Sequence, residues 1–254
     1  MTLLKHCFLL VFLILSISGY GQDIRFNVFG GVQGGFTRYK QFKQFAANYN
    51  QVNNLSGRHA LKPFIFNSGY HFGGDMFMDK IMLNFTIQHS QASTSAQLSD
   101  YKSREFKLKS VLTGCDFGII AGEENGGIIP FFGIYFSDCV LNAEFKYRDG
   151  YRSIGSESVL NGSYHGFNFG ASAGLRFYAM PNKNNMLMLT LQWLGTGGTT
   201  SQLTDWDDNR NSNYIGIDWA NYISSSSWNY TGKYLGAFYS MYQVRLSYGL
   251  SFGN

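Results

Sequence analysis

Six charged residues lie where a β-strand would direct them away from its apolar face. Apolar residues occupy the alternate positions of their segments, so each charge shares a face with glycine, serine or asparagine. Inside a small barrel such charges either pair with one another or line a path for a solute. The set, with His71 close to Asp75, is Arg25, Asp75, Asp116, Asp138, Arg176 and Arg245.

Two serine–histidine pairs could serve nucleophilic or acid–base chemistry. His89 precedes Ser90, and Ser163 stands two residues before His165, on the same face of an extended chain. No Gly-x-Ser-x-Gly motif surrounds either pair. We interpret both as residues at the hydrated edge of a strand, and we expect no catalytic site.

The stretch from Thr204 to Asn211 places oxygen-bearing side chains at alternating positions, as calcium-binding loops do. Arg210 stands where such a loop needs glycine, and Gly216 where a bidentate glutamate would close the coordination shell. We therefore expect no metal at this position, and nothing else in the sequence predicts a cofactor.

The same region, residues 200–235, is rich in aromatic side chains separated by serine, asparagine and glycine. Rigid amphipathic rings among small polar groups are typical of surfaces that bind protein or glycan. A cap in which the loop packs on itself accounts for the composition equally well. The candidate surface comprises Trp206, Tyr214, Trp219, Tyr222, Trp228 and Tyr230.

The overall composition indicates which kind of element carries these residues. Only 14% of the residues are charged, 17% are aromatic, and mean hydropathy is -0.15. Past the N-terminus no apolar run approaches the roughly 18–20 residues of a membrane-spanning helix. A transmembrane β-barrel produces this balance, because lipid-facing and lumen-facing residues alternate. The net charge of +4 is too small and dispersed to predict nucleic-acid binding.

Alternation with a period of two predicts the strands. From Tyr242 to Phe252 every second residue is apolar, and the intervening face is polar or glycine. A soluble β-sandwich would also alternate, but its polar face would carry lysine and glutamate rather than glycine, serine and asparagine. Segments of this kind lie near 24–38, 63–78, 80–91, 105–121, 128–147, 163–179, 186–199 and 236–253.

The connections between these segments alternate between tight turns and long loops at 39–62, 92–104, 148–162 and 200–235. We therefore predict an all-β, eight-stranded, antiparallel up-and-down transmembrane barrel with short periplasmic turns and long extracellular loops. Ten strands would result if residues 214–234 formed another hairpin in the sheet. In the first loop Phe42, Phe45, Tyr49 and Val52 recur at the spacing of a short helix, and we interpret this segment as a loop packed onto the barrel rim rather than as a helix on the membrane surface.

The N-terminus predicts export. A basic Lys5-His6 pair, an apolar stretch from Cys7 to Ile17 and small residues up to Gly21 are typical of a signal peptide. We expect residues 1–21 to be the signal peptide and residues 22–254 to form the barrel in the cell outer membrane.

The chain from residue 22 resembles the PorT-like outer-membrane β-barrel proteins of the Bacteroidota. The likeness lies in Gly21-Gln22 at the end of the signal, the glycine-broken strand from Phe29 to Gly35, the strand end Gly174-Leu175-Arg176-Phe177 and the closing Tyr248-Gly249-Leu250-Ser251-Phe252. The resemblance implies the fold and the location, and the founding member serves type IX protein secretion. It implies no catalytic residue.

Three functions remain open from sequence alone. The first is a non-enzymatic barrel that contacts protein partners or surface ligands through its loops, as part of a type IX secretion or gliding-type assembly. The second is a passive structural or narrow-pore barrel of the OmpA and OmpX type. The third is a lipid-modifying enzyme. All three share outer-membrane lipid as surroundings, and none involves nucleic acid.

Overall fold

The computed structural model describes residues 24–123, 125–148, 162–197, 204–205, 213–214, 235 and 239–252. The predicted signal peptide, residues 1–21, lies outside this set and stays a prediction. The elements of the described residues are β1 (Ile24–Arg38), α1 (Lys40–Val52), a 3-10 turn (Gly57–His59), β2 (Phe66–Met78), β3 (Ile81–Ser99), β4 (Lys102–Ile119), β5 (Ala121–Glu123), β6 (Gly126–Tyr147), β7 (Gly162–Asn182), β8 (Asn185–Gly197), β9 (Thr204–Asp205), β10 (Asn213–Tyr214) and β11 (Ser240–Phe252).

Eight of these strands form a closed antiparallel ring in the order β1-β2-β3-β4-β6-β7-β8-β11. The last strand pairs with the first from Phe26↔Phe252 to Arg38↔Ser240, which closes the barrel. Gly31 lies at this seam, where a Cβ would fall 1.9 Å from the Leu246 carbonyl oxygen, so the close approach requires glycine. The predicted eight-stranded barrel is confirmed.

The outer surface of the ring is an apolar belt. On β1 it extends from Phe26 to Phe36 and on β11 from Tyr242 to Phe252, with outward side chains such as Val32 and Phe132 each 64% exposed. These lengths match the roughly 9–11 residues that a tilted strand needs to cross a bilayer. Since contiguous exposed apolar surface on this scale is unfavourable in water, hydrocarbon covers it.

The strands are longer than the belt at one end of the barrel, which we call the loop end. Residues 92–104, expected to be a loop, instead form the ends of β3 and β4, which meet at a turn through Asp100 and Tyr101. Beyond the hydrocarbon the outward positions become polar, so the alternation that marks a strand in the sequence disappears. The outward-facing parts of β3, β4 and β6 beyond the belt, residues 89–99, 102–109 and 138–147, are called the wall below.

The helical spacing in the first loop corresponds to a helix, α1, although Val52 at its end is exposed. Phe42, Phe45, Ala46 and Tyr49 recur at the spacing of one helical face, and all four are buried. Asn50 clamps the returning chain, because its side-chain amide donates to the Leu61 carbonyl and its side-chain oxygen accepts from the Leu61 N–H. Nowhere in the described ranges is a helix long and apolar enough to cross a bilayer.

Candidate functional site

Four of the six predicted lumen charges meet inside the barrel. Asp75 on β2, Asp116 on β4, Arg176 on β7 and Arg245 on β11 are each at most 2% exposed. Each lies on the inward series of its strand, as the alternation predicts. They form two ion pairs that differ in the distance between cation and carboxylate.

Arg176 and Asp75 form the tighter pair. The Arg176 Nη1 lies 2.6 Å from the Asp75 Oδ1. The same oxygen accepts from the Asn84 amide at 2.8 Å, and the guanidinium lies over the rings of Phe29 and Phe131. Charge, hydrogen bonding and ring contacts therefore all offset the cost of burying this pair.

Arg245 and Asp116 form the looser pair, with 3.9 Å between Nη2 and Oδ2. Asp116 is satisfied by two hydroxyl donors, Tyr135 at 2.8 Å and Ser172 at 2.9 Å. All three nitrogens of the Arg245 guanidinium are buried without a hydrogen-bond partner in the described structure. The carboxylate is thus held by neutral hydroxyls, and the cation contributes only at longer range.

Two predicted members lie elsewhere. Asp138 is exposed on the outer face of β6, so its assignment to the lumen is wrong. The inward series of β6 is Ile129, Phe131, Gly133, Tyr135, Ser137 and Cys139, and apolar residues on both faces hid that series in the sequence. Arg25 is on the inward series of β1, as predicted, but away from the two ion pairs: it lies half-buried at the turn end, with its guanidinium 5.1 Å from the centre of the Phe77 ring.

A chain of amides in the lumen was not predicted. The Gln243 amide donates to the side-chain oxygens of Gln88 and Gln192, and the Gln192 amide donates to the Tyr135 hydroxyl at 3.3 Å. Through Tyr135 this chain reaches Asp116. His71 bonds Ser247 at 2.7 Å rather than Asp75. Inward parity was the signal that could have identified these amides, because Gln192 and Gln243 each stand between two apolar outward residues and Gln88 follows outward Ile87.

The turn end of the lumen is filled by apolar side chains, which we call the lower plug. Four methionines contribute to it, and their flexible thioethers suit the irregular gaps between aromatic rings. Above it lies the polar layer of ion pairs and amides. The lower plug comprises Phe29, Phe77, Met82, Ile129, Phe131, Tyr178, Met180, Met186 and Met188.

The loop end is filled by α1, whose buried face forms the upper plug. The Phe42 ring lies 4.2 Å from Phe64 and 5.8 Å from Phe106, measured between ring centres, and Phe45 lies 5.5 Å from Phe106. Inward residues of β3, β4, β6, β8 and β11 complete this cluster, among them Ala92, Leu112, Leu141, Leu194 and Met241.

Arg104 anchors α1 to the barrel. Its guanidinium is buried 3.8 Å from the centre of the Phe145 ring and hydrogen-bonds the Tyr49 hydroxyl. Burial raises the pKa of Tyr49, and the Arg104 charge opposes that rise. Tyr49 is therefore a neutral hydroxyl at physiological pH, suited to accept from Arg104.

The first serine–histidine pair is divided between the two faces of β3. His89 stacks on Tyr70 outside the barrel, with 4.9 Å between ring centres, whereas Ser90 bonds Ser110 inside it. Ser163 donates to the side-chain oxygen of Asn142.

The residues that the structure describes contain no group of three His, Cys, Asp or Glu that could hold a metal. Of the candidate aromatic surface, Trp206, Trp219, Tyr222, Trp228 and Tyr230 lie outside the described residues, and Tyr214 is described only as backbone in β10.

A closed barrel with an apolar exterior over the height of a bilayer and a polar layer inside defines a transmembrane β-barrel. Since barrels of this kind occur in outer membranes, the predicted location in the cell outer membrane is confirmed.

Several solved outer-membrane proteins have a similar fold. The chain is similar to Ail, the attachment invasion locus protein of Yersinia pestis, at 8% identity, covering 91% of this chain and 99% of Ail with a TM-score of 0.42. It is similar to OprG from Pseudomonas aeruginosa at 10% identity, covering 92% of this chain and 98% of OprG with a TM-score of 0.40. It is similar to the outer membrane protease OmpT from Escherichia coli at 9% identity, covering 93% of this chain and 99% of OmpT with a TM-score of 0.39. At these identities the likeness concerns the barrel architecture alone. No protein family profile and no curated protein sequence matches the chain.

Proposed function

We propose that this chain is a non-enzymatic, non-conducting barrel of the outer membrane that contacts partner proteins or surface ligands through its loop end. The observation that carries the proposal is the filled lumen, with the upper plug above the polar layer and the lower plug beneath it. A barrel without an open bore acts through its surfaces. In outer-membrane barrels the long loops are extracellular, so the loop end faces outward.

The narrow-pore alternative would need a path past both plugs. A solute entering from the loop end would have to displace α1, whose aromatic face is buried against inward residues of several strands. Below the polar layer it would then meet Met82, Met186 and Met188, each at most 2% exposed. We therefore expect no ion conduction.

A planar-bilayer recording tests this expectation directly. Purified barrel reconstituted into a lipid bilayer should give no single-channel steps under an applied voltage. The matched variant Phe42→Ala removes the central ring of the upper plug but leaves the lower plug in place, so it should also remain silent. Steps from the wild-type barrel would overturn the non-conducting part of the proposal.

The loop end offers several surfaces for a partner. The wall extends beyond the belt and α1 covers the lumen. The strands that flank residues 200–235, β8 and β11, end and begin on the same side. We call residues 200–235, with Trp206, Trp219 and Trp228, the aromatic loop. We propose that this loop contributes the main contact, because rings among small polar residues give large contact area at low entropic cost.

The finer assignment, to a type IX secretion or gliding-type assembly, rests on the resemblance to PorT-like proteins alone. Isolation from native outer membranes under mild detergent tests it. A tag in the β7–β8 turn at Lys183-Asn184 leaves the loop end free. Partner proteins should co-purify with the wild-type chain, and they should be lost from the triple variant W206S/W219S/W228S.

The control for that experiment is K107Q/K109Q, which changes the wall and leaves the aromatic loop intact. Partners should be retained on it. If the wild-type barrel isolates alone, the assembly hypothesis is wrong. If the triple variant keeps its partners, the contact surface lies elsewhere on the barrel, and the role given to the aromatic loop is wrong.

A further inference from the structure

The outward side of the first loop carries an unbalanced positive charge. Lys40 and Lys43 are exposed on α1, and Arg58 and Lys62 are exposed on the return to β2. The sequence from Ile24 to Gly74 contains no aspartate or glutamate. We call these four residues the basic cap.

The cations of the basic cap differ from Lys146 on the wall in having no acidic partner among the described residues. Lys146 on the wall pairs with Glu105 and lies 3.8 Å from Glu144, and Glu105 raises the pKa of Lys146. Lys102 lies 3.8 Å from the centre of the Phe145 ring. Within the described part of the chain, no carboxylate lies within ion-pair distance of any basic-cap residue. Within the described residues, the charge of the cap is therefore not neutralised by a carboxylate.

The basic cap is built on a rigid support. The face of α1 opposite to Lys40 and Lys43 is buried in the upper plug, so a ligand does not have to order the helix on binding. Lys40 and Lys43 are one turn apart, which places their Cβ atoms about 5–6 Å from each other. The exposed amides of Gln44 and Gln51 lie on the same helix and can bond hydroxyl groups.

We propose that the basic cap binds an acidic polysaccharide, a chain of sugars carrying sulfate, carboxylate or phosphate groups. This rests on the proposed function in one respect, the outward orientation of the loop end. Repeating anions match the unpaired cations, and sugar hydroxyls match the exposed amides.

Two other polyanions fit the cap less well. Single-stranded nucleic acid is held by base stacking on exposed aromatic rings, but every phenylalanine and tyrosine between residues 39 and 64 is buried: Tyr39, Phe42, Phe45, Tyr49 and Phe64. An anionic lipid surface would be met by the apolar face of an amphipathic helix, and α1 has already buried that face in the barrel.

The test uses the full chain in detergent micelles and fluorescently labelled dextran sulfate, with neutral dextran of equal length as the reference. Dextran sulfate should bind, neutral dextran should not, and binding should weaken steeply between about 50 mM and 200 mM salt. The double variant K40Q/K43Q should lose on the order of tenfold in affinity.

The matched control is K107Q/K109Q, which removes the same number of positive charges from the wall and should change affinity by less than about twofold. Equal losses in the two variants would mean that only net charge matters, and would overturn the site. Absence of binding to dextran sulfate, or tighter binding of a single-stranded DNA of equal charge, would overturn the choice of ligand. None of these results bears on the co-purification experiment, so the proposed function can fail or stand independently.

Discussion

The two ion pairs in the lumen differ in how the buried carboxylate is stabilised. In the Arg176–Asp75 pair the cation and the carboxylate contact each other directly at 2.6 Å. In the Arg245–Asp116 pair the carboxylate is held by hydroxyls, and the guanidinium lies 3.9 Å away with its nitrogens unpartnered. Burying a charge is costly unless it is paired and hydrogen-bonded, so the stability of the barrel depends unequally on the two pairs.

The largest effect is expected from Asp75→Ala. It leaves Arg176 buried beside the Met82 sulfur and two rings without a counter-charge. The free energy of unfolding should fall by about 3–5 kcal/mol. Urea unfolding of the barrel in lipid vesicles measures this change.

The control for Asp75→Ala replaces both charges, as D75L/R176M. Because no lone charge is then buried, this variant should lie close to wild type in stability. A double variant as unstable as the single one would show that volume and packing, rather than the uncompensated charge, set the loss.

A smaller effect is expected from Ser172→Ala. Asp116 loses one of its two hydroxyl donors and keeps Tyr135. The cost should be about 1–3 kcal/mol, the range for a buried acceptor that loses a partner. The same urea titration applies, with Ser137→Ala as a control that removes a buried inward hydroxyl of β6, 3.2 Å from Tyr239, without touching Asp116. Equal losses in the two serine variants would contradict the role given to Asp116.

The smallest effect is expected from Arg245→Met. The substitution removes a cation whose guanidinium nitrogens make no hydrogen bond in the described structure, and Asp116 retains both hydroxyls. We expect a loss of about 1 kcal/mol. A loss as large as that of Asp75→Ala would show that the longer Coulombic contact, rather than hydrogen bonding, decides the stability of the polar layer.

Much of the barrel could be predicted because each membrane-crossing strand has apolar residues on its lipid face and polar or small residues on its lumen face, in alternation. The strand ends beyond the belt could not be predicted, because their outward residues are as polar as those of a loop. Residues 92–104, which form the ends of β3 and β4, are the example. Asp138 was misplaced because β6 carries apolar residues on both faces, Phe131 inward and Phe132 outward, which removes the parity signal.

The upper plug was only half predictable. Helical spacing of Phe42, Phe45 and Tyr49 revealed the helix, but the surface that receives it consists of inward residues from strands far along the chain. No local pattern connects them. The polar layer was predicted in part. Its four charged residues are conspicuous because a charge within an apolar segment is unusual. Its glutamines were missed because a glutamine in a strand looks like any solvent-facing polar residue.

The position of α1 imposes an order on assembly. Its buried face packs in one cluster with Leu235 and Met241, and Tyr39, just before it, lies 6.5 Å from Tyr239 between ring centres. These contacts join the beginning of the chain to its last strand, so they form only once the ring has closed. A probe that reports on the contact of Tyr39 with Tyr239, such as a cysteine label, therefore distinguishes a barrel whose last strand is in place from a precursor that lacks it.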